Sequence, residues 1–189
     1  MRGNRSLYSN VAFRAMALLF RLRDLIHPPV RTLEDAGIKP GMTVLDFGCG
    51  PGAFSIAAAQ LAGPDGKVYA LDIHPLAVRS VQRAAARRGI GNIKPIRGDS
   101  LSEIPAESID TVLLYDLLHE VENPIPTLAA IHRVLKPKGV LSVTDHHLKE
   151  DVLGTVTGTG RFRLVRRGRR TLTFERADTP TAVETGEQR

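Results

Sequence analysis

Val44-Leu45-Asp46-Phe47-Gly48-Cys49-Gly50-Pro51-Gly52 is an apolar, strand-forming run that breaks directly into a glycine-rich turn, and a helix-forming stretch from Ala53 to Leu61 follows at once. Glycines carry no Cβ, so the backbone turns tightly there and approaches a ligand closely. A helix that starts near Ala53 presents unbonded N–H groups to the same place. The stretch therefore marks a ligand site at the carboxyl end of a strand, and it sets the frame for the rest of the chain.

Outward from that turn, strands and helices alternate, the pattern of a parallel sheet covered by helices on both faces. Thr43 to Phe47 reads as the first strand, Lys67 to Asp72 as the second, Ile93 to Arg97 as the third and Ser108 to Tyr115 as the fourth. Gly139 to Asp145 reads as a fifth, entered through a Pro137-Lys138-Gly139 turn. Pro75 to Arg88 and Pro124 to Val134 are helices opened by proline, the first closed by Gly89. A weak helix from Lys149 to Val156 and two short strands, Arg161 to Arg166 and Thr171 to Arg176, joined across Gly168 as a hairpin, complete a doubly wound α/β domain over 31–177. From Ala177 the sequence turns polar, and residues 178–189 read as a disordered tail.

Ahead of the domain, Val11 to Ile26 places Phe13, Met16, Ala17 and Phe20 at helical spacing, stopped by Pro28-Pro29, and a short helix near Val30 to Ala36 follows. Residues 1–30 read as an amphipathic lid, with Tyr8, Phe13 and Phe20 supplying an apolar cover; a membrane-surface helix is the alternative. Arg14, Arg21 and Arg23 interrupt the apolar stretch, so it neither reaches the roughly 20 residues of a bilayer span nor resembles a secretory signal. With 189 residues, 42% of them hydrophobic, one core suffices without metal or disulfide, and the lone Cys49 fits a reducing, cytoplasmic setting. A net charge of +6 raises nucleic acid as a partner, but aromatic residues make up only 5% and Trp is absent, so base-stacking platforms are scarce.

The acids decide what the turn holds. Gly48, Gly50 and Ala53 satisfy the permissive form of the dinucleotide pattern G-x-G-x-x-G/A. Asp46, however, repels a pyrophosphate and attracts the ammonium of a methionine-type group. Asp72, at the end of the second strand, accepts hydrogen bonds from ribose hydroxyls. Asp99-Ser100, after the third, suits the exocyclic amine of adenine. Together they outline an adenosine-shaped slot that Tyr115 and Cys49 also line.

On VLDFGCGPG, YALDIHP, IRGDS, IDTVLLYDLLHEV and VLKPKGVLSV, taken in that order, the sequence resembles the class I S-adenosylmethionine-dependent methyltransferases over roughly Thr32 to Asp145. The resemblance implies a seven-stranded sheet with its last strand antiparallel and S-adenosylmethionine as cofactor. It places Asp46, Gly48, Gly50 and Gly52 around the methionine part, Asp72 at the ribose, Asp99 and Ser100 at the adenine, and Ile73 against the adenine ring. The run LLHEVENPIPTLAAIHRVLKPKG is most similar to the small-molecule subgroup that includes quinone-precursor and arsenite enzymes, so a small-molecule methyl acceptor is expected. Tyr115-Asp116-Leu117-Leu118 stands where adenine-N6 DNA enzymes carry Asn/Asp-Pro-Pro-Tyr/Phe, and Cys49 lies in the cofactor turn, away from any attacking position. His119 is the candidate general base. Asp145-His146-His147 contains ligand-type residues, but neighbouring histidines on an extended segment face opposite ways, so no metal site is expected. His74 and His132 read as surface or helix residues. The rival readings are an RNA methyltransferase using the Arg161 to Arg170 hairpin, an NAD-binding oxidoreductase, and a nucleotide-binding module without turnover.

Overall fold

A computed structural model describes residues 9–144 and 151–177. Asp145-His146-His147, the start of the expected helix at Lys149, Tyr8 and the tail at 178–189 lie outside the described residues.

The element order is α1 (Asn10–Ile26), α2 (Pro29–Leu33), β1 (Thr43–Phe47), α3 (Ala53–Ala62), β2 (Lys67–Asp72), α4 (Pro75–Arg87), β3 (Ile93–Arg97), β4 (Ile109–Tyr115), a 3₁₀ turn (Leu118–Glu120), α5 (Pro124–Val134), β5 (Leu135–Thr144), α6 (Val152–Thr157), β6 (Phe162–Arg167) and β7 (Leu172–Arg176). The strands form one seven-stranded sheet in the order β3-β2-β1-β4-β5-β7-β6. β1 to β5 are mutually parallel. β7 runs antiparallel between β5 and β6, as the hairpin and the family resemblance lead one to expect.

Side-chain alternation along the central strands shows why helices must cover both faces. Leu45, Phe47, Val112 and Leu114 pack with Leu128, Ile131 and Val134 of α5. Val44, Leu113 and Tyr115 point the other way, onto Ala57, Ala58 and Ala59 of α3. Small alanines on α3 let that helix lie close to the sheet. Between β3 and β4 the chain forms no helix; Leu101 and Ile104 enter the core instead, and Arg133 ties both of their carbonyls down at 2.6 and 3.2 Å. Pro95 is accommodated in β3 because that strand is an edge.

β5 starts earlier than the sequence pattern indicates. Leu135 already pairs with Ile109, and the ladder then shifts register to join Thr111 with Val140. Pro137-Lys138-Gly139 is thus an irregularity within the strand, not a turn before it, and Gly139 fits because a Cβ there would lie 2.9 Å from the Ile109 carbonyl.

Strand order reverses between β1 and β4, which opens a crevice at their carboxyl ends, where open α/β sheets bind ligands. α1 lies across that crevice, with Phe13 buried beside Cys49, Ala70, Ala77 and Val81.

Candidate functional site

A cavity of about 710 Å³ fills the crevice, within the roughly 300–1,000 Å³ typical of small-ligand sites. Its floor is the turn after β1. Gly48, Gly50 and Gly52 all have positive φ, at 82°, 49° and 93°. Gly48 and Cys49 donate their N–H groups to the Leu71 carbonyl at 2.8 and 3.0 Å, which locks the turn onto β2. A Cβ on Gly48 would lie 2.6 Å from Leu117, and one on Gly52 2.6 Å from Val81, whereas Gly50 has no protein atom within 4 Å of that position. Gly48 and Gly52 are therefore glycines for packing, and Gly50 leaves a space that a ligand can enter.

Asp72 is held in one orientation. The Gly50 N–H donates to Oδ2 at 2.9 Å and the His74 N–H to Oδ1 at 2.7 Å. Burial raises its pKa, while these two backbone bonds lower it. Each oxygen keeps lone-pair capacity, and the residue lines the cavity beside Ile73 and Asp99.

Asp46 occupies a different position from the one its place in the sequence indicates. It is 2% exposed, lies beneath the turn outside the cavity lining, and accepts a 2.5 Å hydrogen bond from the Ser55 hydroxyl on α3. Desolvation pushes its pKa up to about 7. Its part in the site is to tie the turn to the first helical turn of α3. Gly52 likewise stays behind the surface, and Ser100 is exposed outside the lining, its hydroxyl accepting from the Ser102 N–H at 3.2 Å. Cys49 lines the floor and is buried, which drives its thiol pKa well up. Tyr115 lines the cavity through its ring, set edge-on to Phe54 at 4.8 Å, while its hydroxyl bonds Ser142 at 2.9 Å. Burial raises its pKa.

His119 does not line the cavity. It sits in the 3₁₀ turn, with Nε2 3.9 Å from Glu120 Oε1. The same turn presents Glu120 to the cavity instead. Asp116 has φ of 49°, a left-handed conformation uncommon outside glycine, and its N–H is tied to the Thr144 carbonyl at 2.7 Å.

The roof is α1. Phe13, Met16, Phe20 and Arg23 face the cavity from it. Arg23 pairs with Asp116 at 3.1 Å and lies over the Phe20 ring at 4.5 Å. Phe13 stacks on His74, with ring centroids 4.5 Å apart and planes 8° from parallel. Of the surface or helix positions expected for His74 it takes the helix one, as the N-cap of α4 whose Nδ1 accepts from the Leu76 N–H at 3.1 Å, but it is buried and lines the cavity, which the sequence did not indicate. His132 is the helix residue expected, bonded to the Ala177 carbonyl at 3.0 Å.

The carboxylates of Asp72, Asp99, Asp116, Glu120 and Glu122 line the cavity, against the guanidinium of Arg23. Such a lining suits a cationic ligand and opposes a pyrophosphate. Among the described residues no group of three His, Cys, Asp or Glu is placed to hold a metal ion. Three of the exposed hairpin arginines also bond within the protein: Arg163 to Glu175 at 2.9 Å, Arg166 to the Asp35 carbonyl at 3.2 Å and Arg170 to the His27 ring at 3.1 Å.

Comparison with known proteins agrees with this geometry. Residues 38–169 match the family model described as a methyltransferase domain. The chain is 34% identical over 104 residues to a demethylmenaquinone methyltransferase of Geobacillus kaustophilus, covering 54% of this chain and 44% of that protein. It is 35% identical over 126 residues to a nocamycin O-methyltransferase of Saccharothrix syringae, covering 66% and 41%. The chain thus matches less than half the length of either relative. A solved structure described as a SAM-dependent methyltransferase from Aquifex aeolicus shares the fold, with a TM-score of 0.74 at 23% identity over 90% of this chain and 98% of that one. By fold, glycine turn and family match together, the chain belongs to the class I S-adenosylmethionine-dependent methyltransferases.

Proposed function

We propose that this chain transfers the methyl group of S-adenosylmethionine to a small, largely apolar acceptor bearing a ring oxygen. The acidic lining of a cavity floored by a glycine turn carries the first half of this reading, since a sulfonium and an ammonium both suit it. In this reading Asp72, oriented by Gly50 and His74, takes the ribose hydroxyls; Asp99 takes the adenine amine; Ile73 lies against the adenine ring; and the Gly48 to Gly50 backbone runs along the methionine part. Asp46 supports that backbone from beneath, through Ser55.

When bound, S-adenosylmethionine supplies a methyl group already activated by its sulfonium, so the protein's own task is placement and exclusion of water. α1 serves that task as a lid. Phe13, Met16, Phe20 and Phe54 give the acceptor an apolar surround, and the Arg23–Asp116 pair is the polar anchor that orients its oxygen. The names of the relatives, which act on demethylmenaquinone and nocamycin, fit an acceptor of this kind. Incubation with methyl-labelled S-adenosylmethionine and either a reduced 1,4-naphthoquinone lacking a ring methyl or a short RNA separates the acceptor classes. Label in the naphthoquinol is the expected result; label in the RNA alone contradicts it.

A further inference from the structure

α1 has two apolar faces, and only one of them has a partner in the fold. At about 100° per residue, Phe13, Met16, Ala17 and Phe20 lie on the side that meets the domain. Val11, Leu18, Leu19, Leu22, Leu25 and Ile26 fall on the opposite side, within an arc of about 120°. Each of these six is more than half exposed. Arg14 and Arg21, both exposed, lie along one border of that arc. Exposed Arg31 and the basic hairpin end, where Arg170 reaches His27, adjoin the carboxyl end of the helix. Large apolar side chains gathered on one exposed helix face mark a surface that is covered in use.

Charge identifies the cover. Between Asn10 and Arg23 there is no Asp or Glu, and the first acid, Asp24, is joined to Arg23 at 3.1 Å. A second copy pairing through this face would bring arginine against apolar side chains or arginine, with no carboxylate opposite. An apolar face bordered by arginines instead fits a surface that is hydrocarbon within and anionic at its rim. We infer that the outer face of α1 docks on an anionic lipid bilayer, lying in the interface with its leucines among the acyl chains and Arg14 and Arg21 at the head groups. No described helix is long and apolar enough to cross a membrane, and this docking requires none. Because the inner face of the same helix roofs the cavity, docking sets the roof against the bilayer. The inference stands apart from the identity of the methyl acceptor.

Sedimentation of the full chain with vesicles of phosphatidylcholine mixed with phosphatidylglycerol tests it, with phosphatidylcholine alone as the comparison. The expected result is saturable binding to the mixed vesicles that weakens on neutral vesicles and with added salt. L18S/L22S and R14E/R21E should each reduce partitioning by roughly tenfold or more, while S-adenosylhomocysteine binding by calorimetry stays unchanged and shows both variants folded. Failure to bind the mixed vesicles, or equal binding by the parent and both folded variants, overturns the inference. So does a dimer in sedimentation velocity that both variants dissociate, because a second copy would then be the cover.

Discussion

Gly50 and Gly52 share a left-handed backbone but differ in surroundings, so the same substitution has different effects. Gly52→Ala drives a methyl group into Val81 as well as straining φ, and should cost about 2–4 kcal/mol in denaturant unfolding. Gly50→Ala meets no protein atom and should cost only about 1–2 kcal/mol, yet weaken S-adenosylmethionine binding. Asp72→Asn retains one acceptor for the backbone but loses the charge, and with Asp72 in its proposed role at the ribose, S-adenosylmethionine affinity should fall by roughly 10–100-fold. Asp46 gives a pH signature. Its pKa in the fold, about 7, lies above the 3.8 of an ordinary aspartate, so the folded state binds more protons between those values. Stability from this group is fully present below about 3.8 and is lost as pH rises through about 7, by on the order of 4 kcal/mol. The unfolding free energy of Asp46→Asn should be correspondingly flatter over that window; an unchanged pH profile would mean the carboxyl is not the buried acid described.

At the scale of elements, α1 is held over the cavity by the Arg23–Asp116 ion pair, by the Arg23 guanidinium 5.8 Å from the Phe54 ring centroid and by the Phe13–His74 stack, beside the packing of Phe13, Met16 and Ala17. Arg23→Ala removes the first two. Its effect on global stability should be small, about 1 kcal/mol, because both partners are partly exposed. Local opening of α1 should rise, seen as roughly tenfold faster amide exchange in Asn10–Ile26 than in the parent, with exchange in β1 and β4 unchanged. Faster exchange throughout the sheet would mean that α1 is a structural part of the core, not a lid. None of these contacts was legible in the sequence. Arg23 and Asp116 are 93 residues apart, and no local pattern announces their meeting. Asp116 itself takes a left-handed conformation with no glycine to signal it, and the 3₁₀ turn that follows presents Glu120 rather than His119 to the cavity.

For the whole molecule, the sheet was legible because β1 and β4 are buried on both faces and read as mainly apolar runs, interrupted by Asp46 in one and Asp110-Thr111 in the other, and because Gly and Pro punctuate nearly every join. β5 was the exception, since Pro137 and Gly139 mimic a turn where the strand only shifts register. Of the residues expected at the slot, Asp72, Asp99, Gly48 and Gly50 do line the cavity, where the glycine turn meets the strand ends. Depth was not legible. Asp46 sits under the floor and His74 within the wall, because burial depends on how α3, α4 and α1 close over the strand ends. What the assembled cavity binds is the central question, and calorimetric titration of the chain and of Asp72→Asn with S-adenosylmethionine, S-adenosylhomocysteine and NAD answers it most directly. Saturable binding of the first two, weakened by the substitution and absent for NAD, is the expected result; binding of NAD alone, or of none of the three, contradicts the assignment.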